Sequence, residues 1–264
     1  MKDFNQKPTM KRLIPLCLTV LLSFCLSSSS EGQARNKLND IRGNLRLEVI
    51  TVPEKIAGAF ERLNPRALLY LPVKTVNEKK PLVIFLHGSG GSKRTLERAR
   101  WTGDVKRFAK PGQSITSILV PQSEGHWDPA SLNKMLDHVL KTNPSIDTTR
   151  IYCVGYSMGG KGTWEWAMHS PERFAAIIPK GFIPDLSRIQ GMTQLPIWAM
   201  VGTNDSKPRV EGIRAMHQAL KDLGSTDIKT TFFEGANHGS APGEVKKLDG
   251  VYDWLFSHTL NRQE

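Results

Sequence analysis

The chain has 264 residues, with 36 Lys and Arg against 25 Asp and Glu, a formal net charge of +11 and 39% hydrophobic residues. Its basic residues are spread along the chain, with no aromatic-basic module and no zinc-finger spacing, which argues against a dedicated nucleic-acid-binding protein. Three cysteines, two of them within the first 25 residues, leave Cys153 alone in the remainder and exclude an internal disulfide there.

The N-terminus carries the pattern of an export signal. Lys11 and Arg12 precede an apolar run from Leu13 to Leu26, then four serines and a small-residue stretch ending near Ala34. The apolar run falls short of the roughly 20 residues that span a bilayer, and it contains Pro15. Residues 1–34 are therefore expected to be a cleaved signal, with the protein periplasmic or secreted and no stable membrane insertion. Cys25 as a lipid-attachment site is disfavoured by the bulky Phe24 before it. Cleavage would lower the net charge from +11 to +9 and leave residues 35–264, enough for one domain with a sizeable core. That charge permits attraction to an acidic polymer or anionic surface without establishing either.

From there the expected elements alternate. Leu45 to Val52 and Ala67 to Leu71 suit outer strands, Pro53 ending the first. Leu82 to Leu86, Ile115 to Val120, Ile151 to Val154, Ile177-Ile178, Ile197 to Val201 and Thr230 to Phe233 follow, mostly as continuous apolar runs, the pattern of strands covered on both faces. Leu132, Met135, Leu136, Val139 and Leu140 repeat at helical spacing, as do Ile213, Met216, Ala219, Leu220 and Leu223, with Gly224 as a C-cap. A terminal helix is expected over Leu248 to Phe256. The fold class is α/β: a mostly parallel eight-stranded sheet with helices on both faces.

The strand Ile151 to Val154 runs into Gly155-Tyr156-Ser157-Met158-Gly159-Gly160, and a helical segment follows. This context makes the Gly-x-Ser-x-Gly match a nucleophile elbow, a cramped strand-to-helix turn whose flanking glycines let the backbone pass. Ser157 needs a base and an orienting acid, in the chain order serine, acid, histidine. His238 sits between glycines after the strand Thr230 to Phe233. Asp205 follows the strand ending at Val201 through Gly202-Thr203-Asn204; Asp185 and, more weakly, Glu234 compete for its role. His87-Gly88-Ser89-Gly90-Gly91 comes straight after Leu82 to Leu86. The N–H groups of Ser89 and Met158 are expected to form an oxyanion hole, with His87 bracing the loop. The loop lacks the Gly-Lys-Ser/Thr ending of a phosphate loop, and no His-Glu-x-x-His spacing marks a metal site. No cofactor is expected.

These residues resemble the α/β-hydrolase superfamily, closest to its polyhydroxyalkanoate-depolymerase-like, feruloyl- and acetylxylan-esterase-like and prolyl-oligopeptidase-like members. The likeness rests on Leu86 to Gly91, Gly155 to Gly160, Gly162-Thr163-Trp164, Pro171 to Ala176, Gly202 to Asp205 and His238, within roughly Ala67 to Ser257. It implies the α/β-hydrolase fold, the triad Ser157, Asp205 and His238, and hydrolysis of short-acyl or aromatic-acyl esters through an acyl-enzyme. Ser157 and Asp205 are 48 positions apart, and Asp205 and His238 are 33 apart, which leaves little room for a lid inserted between the strands. An accessible cleft then suits an ester of a small or polymeric alcohol. Tyr156 and Met158 are expected to shape the near pocket, and Trp127, Trp101 and Phe182 to contact substrate. Trp127 is equally well read as loop packing, and Trp164 better as helix packing. A serine peptidase and a non-catalytic carbohydrate- or surface-binding protein on the same fold are the alternatives.

Overall fold

The computed structural model describes residues 36–73, 78–99, 103–109 and 116–260. The expected signal (residues 1–34), with Cys17 and Cys25, lies outside them, as does Trp101. Among the described residues nine strands form one sheet: β1 (Asn36–Arg42), β2 (Leu45–Thr51), β3 (Arg66–Pro72), β4 (Lys80–Leu86), β5 (Ser117–Val120), β6 (Ile146–Tyr156), β7 (Ala176–Lys180), β8 (Ile197–Gly202) and β9 (Ile228–Phe233). They lie in the order β1-β2-β3-β5-β4-β6-β7-β8-β9. Neighbours from β5 to β9 pair in parallel, and β1, β2 and β3 complete one end antiparallel. The eight expected strands are all present. The ninth, β1, has the sequence Asn-Lys-Leu-Asn-Asp-Ile-Arg, whose lack of alternation hides it; among the described strands it pairs with β2 alone.

The helices are α1 (Glu54–Ala57), α2 (Ser89–Ser92), α3 (Gly103–Phe108), α4 (Pro129–Thr142), α5 (Met158–His169), α6 (Lys207–Asp222), α7 (Ala241–Lys247) and α8 (Val251–Phe256). The continuous apolar runs are explained by two cores, one on each face of the sheet. Leu82, Ile84 and Leu86 of β4 join Leu136 of α4, Trp164 of α5 and Ile213 of α6 in one cluster. Val83 of the same strand joins Phe108 of α3 and Leu255 of α8 in the other. Alternation along each strand feeds both layers, so both faces of the central strands are mainly apolar. Cys153 is fully buried on β6 beside Thr163, and burial pushes its thiol up to about 12, so it packs as an apolar filler. Among the described residues no helix is long and apolar enough to cross a membrane.

Two features of this topology place the site. The strands β5 and β6 flank β4 on opposite sides, so the connections diverge and a crevice opens beyond the carboxyl ends of β4 and β6. The later connections are short: residues 181–196 join β7 to β8, and residues 203–227, mostly α6, join β8 to β9. No large lid is inserted in either. The sheet order and crossovers are those of an α/β-hydrolase fold.

Candidate active site

Ser157 stands between β6 and α5 with φ 57° and ψ −118°, a backbone conformation strained for any residue with a side chain. Its neighbours hold it there. Its N–H donates to the Lys180 carbonyl at 2.9 Å, and its own carbonyl accepts from Lys161 N at 2.9 Å. The glycines on either side permit the close approach this turn demands. A Cβ at Gly155 would lie 2.1 Å from the Gly159 carbonyl oxygen, and one at Gly159 would lie 1.9 Å from that of Leu86. Only bare backbone lets α5 start this close to β4.

The fold brings the three expected residues together. Ser157 Oγ donates to His238 Nε2 at 2.8 Å, and His238 Nδ1 donates to Asp205 Oδ2 at 2.6 Å. A carboxylate can only accept, so the proton on the ring belongs on Nδ1 and leaves Nε2 open for the serine proton. Asp205 and His238 are placed by a tie between the loops after β8 and β9. Asn204 N donates to the Ala236 carbonyl at 2.9 Å, and Gly235 N to Thr203 Oγ1 at 2.8 Å. The competing acids are elsewhere: Asp185 is exposed and accepts from Ser187 N at 3.0 Å, capping a turn, and Glu234 is exposed.

One functional neighbour is absent from the sequence reading. Arg209 Nη1 donates to Asp205 Oδ1 at 2.9 Å, and Ser206 N donates to the same oxygen at 2.7 Å. The Asp205 side chain is only 1% exposed. Burial alone would raise its carboxyl; the hydrogen bonds from His238, Arg209 and Ser206 outweigh that and hold it below the ordinary carboxylate range. The spacing Asp205-x-x-x-Arg209, spanning the start of α6, was the available signal. Arg209 also lies 5.5 Å over the Phe182 ring, which is half-buried at the rim after β7.

The loop after β4 has its own scaffold. Its extended residue Gly88 leads into α2, whose first residue is Ser89, as Met158 is the first of α5. First-turn N–H groups have no partner within their own helix, so both are available to a ligand oxygen. Ser89 is exposed and Met158 half-buried. Behind them, His87 Nδ1 donates to the Gly88 carbonyl at 2.8 Å, and Nε2 accepts from Ser123 N at 3.1 Å. Both ring nitrogens are thereby used in the neutral form. Burial, the largest influence, lowers the His87 pKa below its ordinary 6.5.

This histidine makes the fold acid-sensitive. In the unfolded chain it takes a proton near pH 6.5, while the folded protein resists that proton until lower pH. Its contribution to stability is therefore complete above about pH 6.5 and is lost as pH falls toward the folded value. Urea midpoints should fall with acidification below that pH, and less steeply in His87→Gln; equal slopes would remove His87 from the account.

Trp127 requires a correction. It is 1% exposed, its Nε1 donates to the His87 carbonyl at 3.2 Å, and its ring lies 4.6 Å from the His87 ring. A Cβ at Gly162 would come within 2.5 Å of the indole. No face remains for a sugar or phenolic ring; Trp127 buttresses the loop. Trp164 packs inside, as expected of a helix residue. Tyr156 is half-buried and lies against His238. Among the described residues no cluster of three or more His, Cys, Asp or Glu could hold a metal ion.

Comparison with known proteins places this geometry. A model of the dienelactone hydrolase family matches residues 104–247, more than half of the chain. Ethanol acetyltransferase 1 of Eremothecium cymbalariae is 28% identical over 134 residues, 48% of this chain and 34% of that protein. The crystal structure of a thermostable esterase superposes with a TM-score of 0.63 at 24% identity, covering 82% of this chain and 63% of that one. A ferulic acid esterase superposes at 0.59 with 14% identity, covering 83% and 99%. The chain thus spans about a third of the curated relative and less than two thirds of the thermostable esterase. The structural likenesses show the fold; the arrangement of Ser157, His238 and Asp205 on it is that of a serine hydrolase.

Proposed function

Because the chain belongs to the dienelactone hydrolase family, we propose that it hydrolyses carboxylic esters through an acyl-enzyme on Ser157. The observation that carries this reading is the unbroken relay from Ser157 Oγ through His238 to Asp205, with distances of 2.8 and 2.6 Å. His238 takes the serine proton as Oγ attacks the ester carbonyl, and Asp205 stabilises the imidazolium that results. The N–H groups of Ser89 and Met158 receive the oxyanion, each such donor being worth about 10²–10³ in rate. His238 then protonates the departing alcohol, and water cleaves the acyl-enzyme by the same route.

The acyl group is short or aromatic, and the alcohol small or part of a polysaccharide or polyester; the short connections around the site support an open cleft of this kind. Phe182, at the rim beneath Arg209, is the described aromatic best placed to meet substrate. Residues 1–34 act as an export signal and residues 35–264 as a single catalytic domain, periplasmic or secreted. An N-terminus near residue 35 in the exported protein tests that assignment.

A second acceptor is favoured by the acetyltransferase relative: the same acyl-enzyme passes its acyl group to an alcohol. Purified protein should be offered acetyl, butyryl and feruloyl esters beside a peptide substrate, with and without ethanol. Preferential ester cleavage supports the proposal, preference for the peptide sinks it, and ethyl ester exceeding free acid favours transfer.

A further inference from the structure

We infer that Tyr156 is a positioning residue for the catalytic base, holding His238 through a ring stack and a hydrogen bond to its main chain. The inference rests on reading Ser157, Asp205 and His238 as a working triad. The two hydrogen bonds of the imidazole, from Nδ1 to Asp205 and from Ser157 Oγ to Nε2, both lie in the ring plane and leave it free to tilt about the axis joining them, and His238 is 33% exposed. Tyr156 closes that freedom. Its ring lies over the imidazole with centroids 5.1 Å apart and planes 29° apart. Its hydroxyl donates to the His238 carbonyl oxygen, 82 positions further along the chain. The stack sets the tilt of the ring, and the hydroxyl sets where the loop carrying it sits.

Two further observations show a structure built around this pair. Gly181, at φ +65°, presents bare backbone beside it; a Cβ there would lie 3.0 Å from Tyr156 Cε2 and 3.2 Å from His238 Cε1. Tyr156 also lines a cavity of about 240 Å³ walled by Phe85, Val120, Val154 and Val245. Removing the ring that lies against the imidazole would leave space beside it into which the imidazole could turn away from Ser157. Burial and then the Asp205 charge push the phenol up to about 12, so the hydroxyl remains a donor at neutral pH. With ring and hydroxyl both engaged, Tyr156 serves the base in addition to lining the cavity beside it.

The test measures how fast a small fluorophosphonate inactivates the full-length protein, a reaction that needs the base but no natural substrate. Tyr156→Phe, which keeps the stack, should react about fivefold more slowly, the worth of one neutral hydrogen bond. Tyr156→Leu should react about a hundredfold more slowly, as expected of a misplaced catalytic group. On an acetyl ester kcat should fall in the same proportion, with KM within about twofold. A wild-type inactivation rate in Tyr156→Phe overturns the inference whether or not the leucine variant folds, as does a raised KM with unchanged inactivation. Failure of the wild type to react removes the triad reading and this inference with it. Reaction without any ester turnover removes only the ester reading, and the comparison of variants still decides.

Discussion

Ser157→Ala is expected to lower ester turnover by about 10⁶-fold, to the level sustained by binding and the oxyanion donors alone. The loss is that large because the triad works as a unit: without Oγ, His238 has no proton to take. The fold should survive, since both main-chain bonds at residue 157, to Lys180 and from Lys161, are independent of the side chain. Circular dichroism and the thermal midpoint should match wild type closely, while phosphonate labelling at this position disappears. Turnover persisting at the wild-type rate would mean that the nucleophile is another group. An unfolded variant would leave the side chain with a structural duty that its single hydrogen bond to His238 does not suggest.

Asp205→Asn is expected to cost about 10⁴-fold in kcat with little change in KM. The two side chains have the same shape, so packing around this 1%-exposed group is preserved. What changes is the direction of hydrogen bonding. Arg209 Nη1 and Ser206 N both donate to Oδ1, which obliges the amide oxygen to take that place. The amide nitrogen then faces His238 Nδ1 as a donor. The imidazole must accept there, its proton moves to Nε2, and the base faces Ser157 in the wrong tautomer. Steady-state kinetics on a good ester substrate checks the figure, and a fall below tenfold would mean that Asp205 merely anchors its turn. Asp205→Ala should be less informative, because it also removes the partner of a half-buried Arg209.

Much of this arrangement was legible in the sequence, and the limits have physical causes. Buried parallel strands such as β4 and β7 announce themselves because both faces demand apolar residues. The polar first half of β6, Ile146 to Arg150, does not, and neither does β1 at the sheet edge. Ser157, Asp205 and His238 were accessible because each follows a strand at the rim where such sites form. The contacts that organise them were not. Tyr156 meets His238 across 82 positions, and Trp127 meets His87 across 40. A rim tryptophan reads alike as platform or buttress until burial decides. Arg209 is intermediate, since its four-residue offset from Asp205 is visible but gains meaning only once Asp205 is known to be buried.

The positive φ of Ser157 bears on how such a protein changes over generations. A residue with a side chain held there costs about 1–3 kcal/mol, a charge that glycine escapes. Selection for stability and selection for turnover therefore pull this one codon in opposite directions. In a lineage that no longer needs the chemistry, the elbow is where mutation gains most by giving up the side chain. A glycine at this position in an otherwise intact homologue would be the mark of an abandoned enzyme.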